Sequence, residues 1–561
     1  MRPPRLSRRQ ILSGLIAATL PAPAYSAAIG DLLGLHKPND SDPSNAKKKP
    51  PEKLVPGKQG LFPGGYSQRF EPVRGMIARG DYVAAIDAFV PNTAPAATPA
   101  ADSAAKPADS KAAKGANYAK AQEPPAHRGG ITSDAFLSNA ELGLIEFEAG
   151  HLEEAVEHLK KAESSETRGR SVGNTIGRGF GWIGGKITGQ NELSPYYPLD
   201  YEAVLELNYL ALAHLLKGQP TCYNVARRCI DLQQEIKSKF EKEIADAKEK
   251  LAKQEADDAK KPLPKDQAAK DAQTAQAKSL NDFTGEFAAY DSYARRVPNA
   301  YVNPLGDYLA GLIQEIASRE ETALRDNSRI AYESAVTLCG HSPQLSAAVA
   351  AMKRSRVPAG ERVVHVIVGE GFAPERRELV FVLALVGQLM PIRLPIFTPV
   401  ESTVERIEVL AGTGRPVVLD PIGDFEAIRM RSQEDRIPLL TLEVTTSMMA
   451  SYAEGKTAHK FGPIGDLLNG AREKAAHADT RSWLSLPRRF HVARIVLPAA
   501  ATSLTLTSLG HAGQRLATER IAVPKGDSHT VIYARAVDDH LVAQSARRLW
   551  IDGKLEIETH G

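Results

Sequence analysis

Residues 142–162 read LGLIEFEAGHLEEAVEHLKKA, and this stretch decides how the first two thirds of the chain are understood. Leu142, Gly143, Gly150, Ala155, Leu159 and Ala162 fall where a tetratricopeptide unit, with its period of about 34 residues, places its small and large packing residues. Small residues let two antiparallel helices approach, large ones fill the space between them, and Gly150 marks the turn. Upstream, Gly80, Tyr82, Ala85 and Phe89 repeat the second half of the unit. Downstream, Tyr201–Leu216, Gly218 and a helix through Ala226, Arg227 and Arg228 read as another hairpin; Tyr308–Ile316 and Ile330–Leu338, closed by Pro343, make a weaker last one. Such hairpins cannot bury their faces alone and must stack. The expectation is a mainly α fold: a right-handed tetratricopeptide-like helical solenoid over residues 63–345, followed by a C-terminal α/β and β-rich region.

Composition punctuates this array. Residues 27–62 and 91–130 are rich in Pro, Ala, Lys and Ser with little to bury, and read as a disordered linker and a disordered insertion. Residues 236–280 are Lys, Glu, Ala, Asp and Gln, broken at Pro262-Leu263-Pro264. Charges at helical spacing with sparse Phe240, Ile244 and Leu251 predict a charged helical insertion, either a coiled-coil contact or a solvated spacer.

After Pro358 the texture changes. Arg362–Val368 is β-branched, Pro391–Phe397 alternates, and Ile407–Leu410 meets Pro416–Leu419 across Gly412-Thr413-Gly414 as a hairpin. Helical patterns cover Asp424–Gln433, Ile437–Tyr452 and Gly465–Ala475, giving an α/β region over 358–488. Strand-like runs at His491–Leu497, Ser503–Ser508, Arg520–Val523, His529–Ala534 and Leu549–Glu556 make residues 489–561 β-rich.

The N-terminus predicts export. Arg8-Arg9 inside Ser7-Arg8-Arg9-Gln10-Ile11-Leu12 fits a twin-arginine signal over residues 1–26, with cleavage after Ser26 or, alternatively, after Ala24. The apolar run from Ile11 to Leu20 is about half the roughly 20 residues that cross hydrocarbon. Removing the leader takes four arginines and no acid from a formal charge of +3, leaving −1, so no basic nucleic-acid footprint is expected. The first cysteine is Cys222, so the leader offers no lipid acceptor, and a soluble periplasmic protein without a stable membrane anchor is expected. Cys222 and Cys229, seven apart on a helix, have backbones roughly 10 Å apart, beyond bridging reach. With Cys339 they are expected as buried free thiols.

Motifs for chemistry are weak. Gly177–Lys186 resembles a phosphate loop, but Phe180 stands where its first glycine belongs and Ile187 where Ser or Thr would hold magnesium. It reads as a flexible loop whose Phe180 and Trp182 can touch a partner. His151, Glu154 and His158 would share a zinc-binding helix face, yet Gly150 puts His151 in a turn. No cofactor and no metal site is expected. Arg227 and Arg228 beside Tyr223 offer a groove surface for acidic or aromatic anchors. Asn303-Pro304 is either punctuation before a helix or a ligand contact. Asp479, Arg481 and Trp483 are either a buried ion pair with a core indole or a binding cluster on a loop.

Tyr196 with Tyr201-Glu202, Ala226-Arg227-Arg228, Asn299-Ala300-Tyr301-Val302-Asn303-Pro304, Val366-Ile367-Val368 leading to Gly371-Phe372-Ala373-Pro374, and Ala478-Asp479-Thr480-Arg481-Ser482-Trp483 with Leu486-Pro487 occur in that order. Together they resemble a poorly characterised family of bacterial envelope proteins with tetratricopeptide-like repeats, over most of residues 70 to 500. Its members are commonly predicted lipoproteins, some encoded near outer-membrane activators of penicillin-binding proteins. The resemblance implies an envelope role near cell-wall synthesis, with envelope proteins, peptides or the peptidoglycan-synthesis machinery as partners. It implies no activity. The expected function is therefore a non-catalytic periplasmic scaffold or adaptor, with Tyr201, Tyr223, Arg227, Arg228, Asn303, Asp479, Arg481 and Trp483 as binding residues. The competing expectation is a glycan-binding or glycan-hydrolysing module in residues 358–500, for which Glu370, Glu375, Asp424 and Asp479 supply carboxylates.

Overall fold

The computed structural model describes residues 65–89, 131–172, 196–258, 287–435, 478–523 and 529–560, apart from a few short breaks within those spans. The expected leader, the linker over 27–62, the insertion over 91–130, the glycine-rich loop over 177–186, the proline break at 262–264 and the helices over 437–452 and 465–475 lie outside the described residues.

The helices are α1 (Tyr66–Ala78), α2 (Tyr82–Phe89), α3 (Ala135–Ala149), α4 (Leu152–Val172), α5 (Asp200–Leu216), α6 (Thr221–Asp258), α7 (Asp291–Ala294), α8 (Pro304–Ala317), α9 (Leu324–Cys339) and α10 (Pro343–Lys353). Three hairpins, α1/α2, α3/α4 and α5/α6, turn by the same device. Gly80, Gly150 and Gly218 sit at φ of 72°, 85° and 73°. Each glycine N–H reaches the carbonyl three residues back, and the next N–H reaches the carbonyl five back: Gly150 to Phe147 and His151 to Glu146, for instance. A left-handed residue closes the last helical turn this way, and glycine adopts it without a Cβ clash. Within α3/α4, a Cβ at Gly143 would lie 2.8 Å from Leu159 Cγ, which is the close approach the small residue exists to allow. Two other starts are fixed by side chains and prolines: Asn303 Oδ1 accepts from Leu305 N–H before Pro304, and Ser342 Oγ accepts from Leu345 N–H before Pro343.

Twelve strands form three sheets among the described residues. The largest contains β1 (Glu361–Glu370), β6 (Asp420–Asp424), β7 (Arg489–Pro498), β10 (His529–Val537), β11 (His540–Ile551) and β12 (Lys554–His560), in the order β12-β11-β10-β1-β7-β6. Only β1 and β10 run parallel in it. A second sheet orders β5 (Val417–Val418), β4 (Val404–Ala411), β8 (Ser503–Gly510) and β9 (Arg515–Ala522), and β2 (Arg376–Leu385) pairs with β3 (Gln388–Phe397) alone. Strands from both sides of residue 489 thus share the two larger sheets.

Period-two alternation assembles the layers. On β1, Val364, Val366 and Val368 pack with Ile407 and Val409 of β4 and Leu504 and Leu506 of β8. Ile367 points the other way, into a core with helical residues such as Phe147 and Leu212. On β10, Ile532, Ala534 and Ala536 face the second sheet while Val531 and Tyr533 face the helices. Successive side chains on a strand leave opposite faces, so a strand apolar on both faces is one covered on both faces. The result is helices, six-stranded sheet and four-stranded sheet in three layers.

This corrects the expected fold class. The described residues are 51% helical and 24% strand, a mixed α/β architecture in place of a mainly α solenoid. The helical hairpins form, but their apolar faces are laid on a sheet: one continuous core joins Tyr66, Phe147 and Tyr209 to Phe490, Val492 and Tyr533. Helical periodicity reports which face of a helix is apolar and is silent on what covers it. Among the described residues no helix is long and apolar enough to cross a membrane.

Candidate functional site

The helix–sheet seam is where the chain concentrates its buried charge. Glu141 and Glu148 on α3, Glu202 on α5 and Glu315 on α8 point inward, into the seam. A carboxylate in such a place is strongly destabilising unless paired and hydrogen-bonded. Each finds its partners across the seam, on a strand or on the loop that enters β7.

Glu315 is the most elaborate case. Arg494 of β7 donates to it from Nη2 at 2.6 Å and from Nε at 3.1 Å, and Tyr332 of α9 donates its hydroxyl at 2.9 Å. His529 Nε2 of β10 lies 3.3 Å from Oε1, and His365 Nε2 of β1 lies 3.5 Å from Oε2. The two imidazoles stack with centroids 6.0 Å apart, and Tyr308 Oη meets His365 Nδ1 at 3.0 Å. Burial pushes the Glu315 carboxyl up, but Arg494 and the imidazoles outweigh it and hold it well below the usual range. Burial pushes His365 down to about 4, against the upward pull of Glu315.

Glu315, His365 and His529 place three donor atoms within 4.8 Å of one another, a carboxylate and two imidazoles of the kind that hold zinc or iron. The Arg494 guanidinium already neutralises that carboxylate, so a dication would bring two uncompensated charges into a fully buried site. The cluster's chemistry is that of an ion pair seated on two imidazoles, of which burial holds His365 neutral. His151, Glu154 and His158 do not assemble into a metal group. His158 Nδ1 meets Asn139 Oδ1 at 2.9 Å and its Nε2 lies 3.7 Å from Glu146.

The other glutamates grip the seam farther along. Glu148 accepts from Arg535 Nη1 at 2.7 Å and from the Tyr533 hydroxyl at 3.0 Å. Arg535 also donates to the carbonyls of Gly371 at 2.7 Å and Ser485 at 3.0 Å. Glu141 accepts the backbone N–H of Leu484 at 2.6 Å and of Ser485 at 3.0 Å, with the Tyr66 hydroxyl at 2.7 Å. Burial pushes Glu141 up to about 7 against the pull of these donors. Glu202 accepts the Trp483 N–H at 3.0 Å and the Tyr196 hydroxyl at 2.5 Å. The loop over 483–485 is thereby held by backbone bonds to two helices, with Trp483 edge-on to Phe136 in the core.

The acids expected to serve a glycan hydrolase are all engaged by cations. Glu370 faces Arg488 at 3.2 Å and His491 at 3.1 Å, and Ser402 donates to it. Burial raises its pKa, but His491 and Arg489 prevail and hold it at about 2. Such a group is ionised at neutral pH and cannot be the proton donor that glycoside cleavage needs. Asp424 lies 3.4 Å from Arg296, Glu375 lies 3.6 Å from Arg74 and 3.4 Å from Arg377, and Asp479 receives Arg481 through both oxygens at 2.9 Å. Glu426, which the sequence did not single out, is shared between Arg296 at 2.6 Å and Arg488 at 2.9 Å.

The expected binding residues divide. Tyr201 is buried beneath the Arg429 guanidinium, and Asn303 is buried as the cap of α8, its own N–H donated to Gln233 at 2.5 Å. Asp479, Arg481 and Trp483 are buried as well, and the Trp483 indole N–H bonds Ser485 Oγ at 3.0 Å. These five serve the interior and offer no binding surface, which corrects that expectation and selects the ion-pair and core-indole alternative for the last three. Tyr223, Arg227 and Arg228 lie together on α6: Tyr223 is half-buried, Arg227 exposed, and Arg228 pairs with Glu163 of α4. All three cysteines are free, Cys222 and Cys229 buried and Cys339 partly so.

The seam residues carried a faint signal. Arg494 in His491–Leu497 and Arg535 in the run from His529 each interrupt an apolar strand at an inward-alternating position, and Glu141 and Glu148 flank the apolar stretch of α3. A charge there is a request for a partner. No family model matches the chain, and no curated protein or solved structure matches it.

Proposed function

We propose that this protein acts by holding a partner, as an exported, non-catalytic scaffold or adaptor of the bacterial cell envelope. The partner polypeptide is taken up on the outer side of α6, around Tyr223, Arg227 and Arg228. The observation that carries this reading is the shape of α6. Cys222, Val225, Ala226, Cys229, Gln233 and Ile236 root its first turns in the core, while Arg227 and Arg228 stay outside. The helix then continues to Asp258. That is about 22 residues past Ile236, or roughly 33 Å at 1.5 Å per residue. A helix of this length needs packing or a partner along its length to be worth keeping straight, and the spacing of Phe240, Ile244 and Leu251 in its sequence supplies apolar positions for one.

The envelope placement rests on the sequence: the Arg8-Arg9 leader and the motifs that resemble those of envelope repeat proteins near cell-wall synthesis. The clamped seam supports a scaffold, because it joins the helices that bear the surface to the sheet as one body. For the same reason the helical part alone is a poor probe, since it would leave Glu148 and Glu315 buried without their arginines.

The test uses the full-length protein in its own host with a photo-crosslinking residue at position 227, and at exposed position 518 on β9 as a control. The reading expects discrete adducts from 227, absent from 518, and reduced when Arg228→Glu is introduced beside it. Equal adducts from both positions, or none from 227, would overturn it.

A further inference from the structure

β2 and β3 pair with each other in unbroken register, from Arg376 opposite Phe397 to Leu385 opposite Gln388, and with no other strand among the described residues. A two-stranded hairpin is marginal in water, and a third strand or a covering layer is what makes it stable.

The two edges of this hairpin are built differently. Opposite residues of an antiparallel pair alternate between pairs that exchange both N–H···O bonds and pairs that exchange none, whose backbone groups turn away from the partner strand. Proline has no N–H to exchange, so Pro391, opposite Val382, and Pro395, opposite Glu378, stand in non-bonded pairs. The class repeats every second residue. Leu389, Pro391, Arg393, Pro395 and Phe397 therefore turn their backbone groups to the outer edge of β3, and Arg376, Glu378, Val380, Val382 and Ala384 turn theirs to the outer edge of β2. Phe397 agrees, since its N–H leaves the hairpin to reach Gln433 Oε1 at 2.7 Å. The edge of β3 thus lacks a donor at two positions and has spent a third.

The edge of β2 has no such protection. Its base is met by the loop that follows Ala478: Glu378 accepts the Ala478 N–H at 2.6 Å, and Arg376 donates to the Arg481 carbonyl at 2.9 Å. Beyond that base, Leu379 to Leu385 reads LVFVLAL, without a proline, a charge or a bulge. Those are the devices by which sheets blunt a free edge, and β3 carries two prolines and Arg393 where β2 carries none.

We propose that β2 pairs antiparallel with β2 of a second copy of this chain, over residues 379–385, making a four-stranded sheet with a β3 at each side. Each copy offers the same edge, so every bond given is returned about a two-fold axis. The prolines stop the assembly there: adding β2 of one copy to β3 of the next would propagate without closing, and that edge has no donor at 391 or 395. Leu379, Phe381, Leu383 and Leu385 share one face by alternation, and pairing extends that apolar face over four strands. The contact uses no residue of the α6 surface and goes beyond the adaptor reading; crosslinks at 227 and the mass of the assembly can fail separately.

The experiment is sedimentation of the purified full-length protein over a dilution series. The expected result is a reversible equilibrium between monomer and dimer with nothing larger. Val382→Pro deletes an outward N–H and none of the bonds to β3, because Val382 stands in a non-bonded pair with Pro391, and it is expected to weaken dimerisation at least tenfold. Val380→Lys puts a charge on the same edge and is expected to do likewise, which keeps the test open should the proline variant fail to fold. Pro391→Val combined with Pro395→Val restores donors to the second edge and is expected to give species larger than a dimer. A monomer at every concentration, which would mean that the edge is met within the chain or by another polypeptide, would overturn the proposal. So would a dimer that both β2 variants leave as tight as the parent.

Discussion

Glu315 of α8 and Arg494 of β7, 179 positions apart in sequence, form an ion pair at 2.6 Å with their side chains 1% and 6% exposed. Removing one partner of a buried pair leaves an uncompensated charge and costs about 3–5 kcal/mol, whereas replacing both by apolar groups is often neutral. Arg494→Met alone should therefore lower unfolding free energy by about 3–5 kcal/mol in urea titrations. Glu315→Leu combined with Arg494→Met should recover most of it. A double variant as unstable as the sum of the single ones would show that the pair is not the clamp described.

The same cluster sets a pH dependence. His365 has a folded pKa of about 4 against about 6.5 unfolded, so below pH 6.5 the unfolded chain takes up the proton first. Its stabilising contribution is present above pH 6.5 and is lost as the pH falls to about 4, by roughly 3 kcal/mol in all. Glu315, held low, acts with the same sign below its unfolded value near 4.5. Glu141, raised to about 7, acts oppositely, losing stability as the pH rises from about 4.5 to 7. The comparison of parent and His365→Gln isolates the histidine. Between pH 7 and pH 4 the variant should lose about 3 kcal/mol less than the parent in urea unfolding; parallel profiles would remove His365 from the account.

Glu141 holds the loop over 483–485 by two backbone N–H bonds, and an amide can accept at one of its two positions only. Glu141→Gln should cost about 1–3 kcal/mol through the N–H left unsatisfied. It should also raise solvent quenching of Trp483 fluorescence, read in a variant in which Trp182 and Trp550 are replaced by Phe. Unchanged quenching would mean that the loop is fixed by packing alone.

The hairpins offer a local test. Gly143→Ala puts a Cβ 2.8 Å from Leu159 Cγ, and such overpacking costs typically about 1–3 kcal/mol. Gly150→Ala, at φ 85°, should cost about 1 kcal/mol for a different reason, the left-handed backbone. Leu159→Ala should rescue the first variant in part and leave the second unrelieved, measured as interaction free energies in two double-mutant cycles.

These residues also mark how far the sequence could be read. Gly80, Gly150 and Gly218 announce their turns locally, because a left-handed closure must be made by the residue itself. The alternation of Val364, Val366 and Val368 likewise announces a strand. The three-layer assembly was not legible, because its clamps join residues 179 to 387 positions apart: Glu141 to Leu484, Glu148 to Arg535, Glu315 to Arg494. Read alone, each glutamate is one more charge on an amphipathic helix. Asp479 and Arg481 were legible as a pair, two residues apart, and their burial decided which of the two readings held.

The central claim is that the buried acids serve the architecture and that the protein holds partners without turning them over. Glu370, held at about 2 by His491 and Arg489, is the acid on which this is decided. The measurement is release of soluble muropeptides from isolated peptidoglycan by the parent and by Glu370→Gln, with urea unfolding of both. The account predicts no release by either protein and a variant less stable by about 1–3 kcal/mol. Release by the parent that vanishes in a variant of unchanged stability would contradict it.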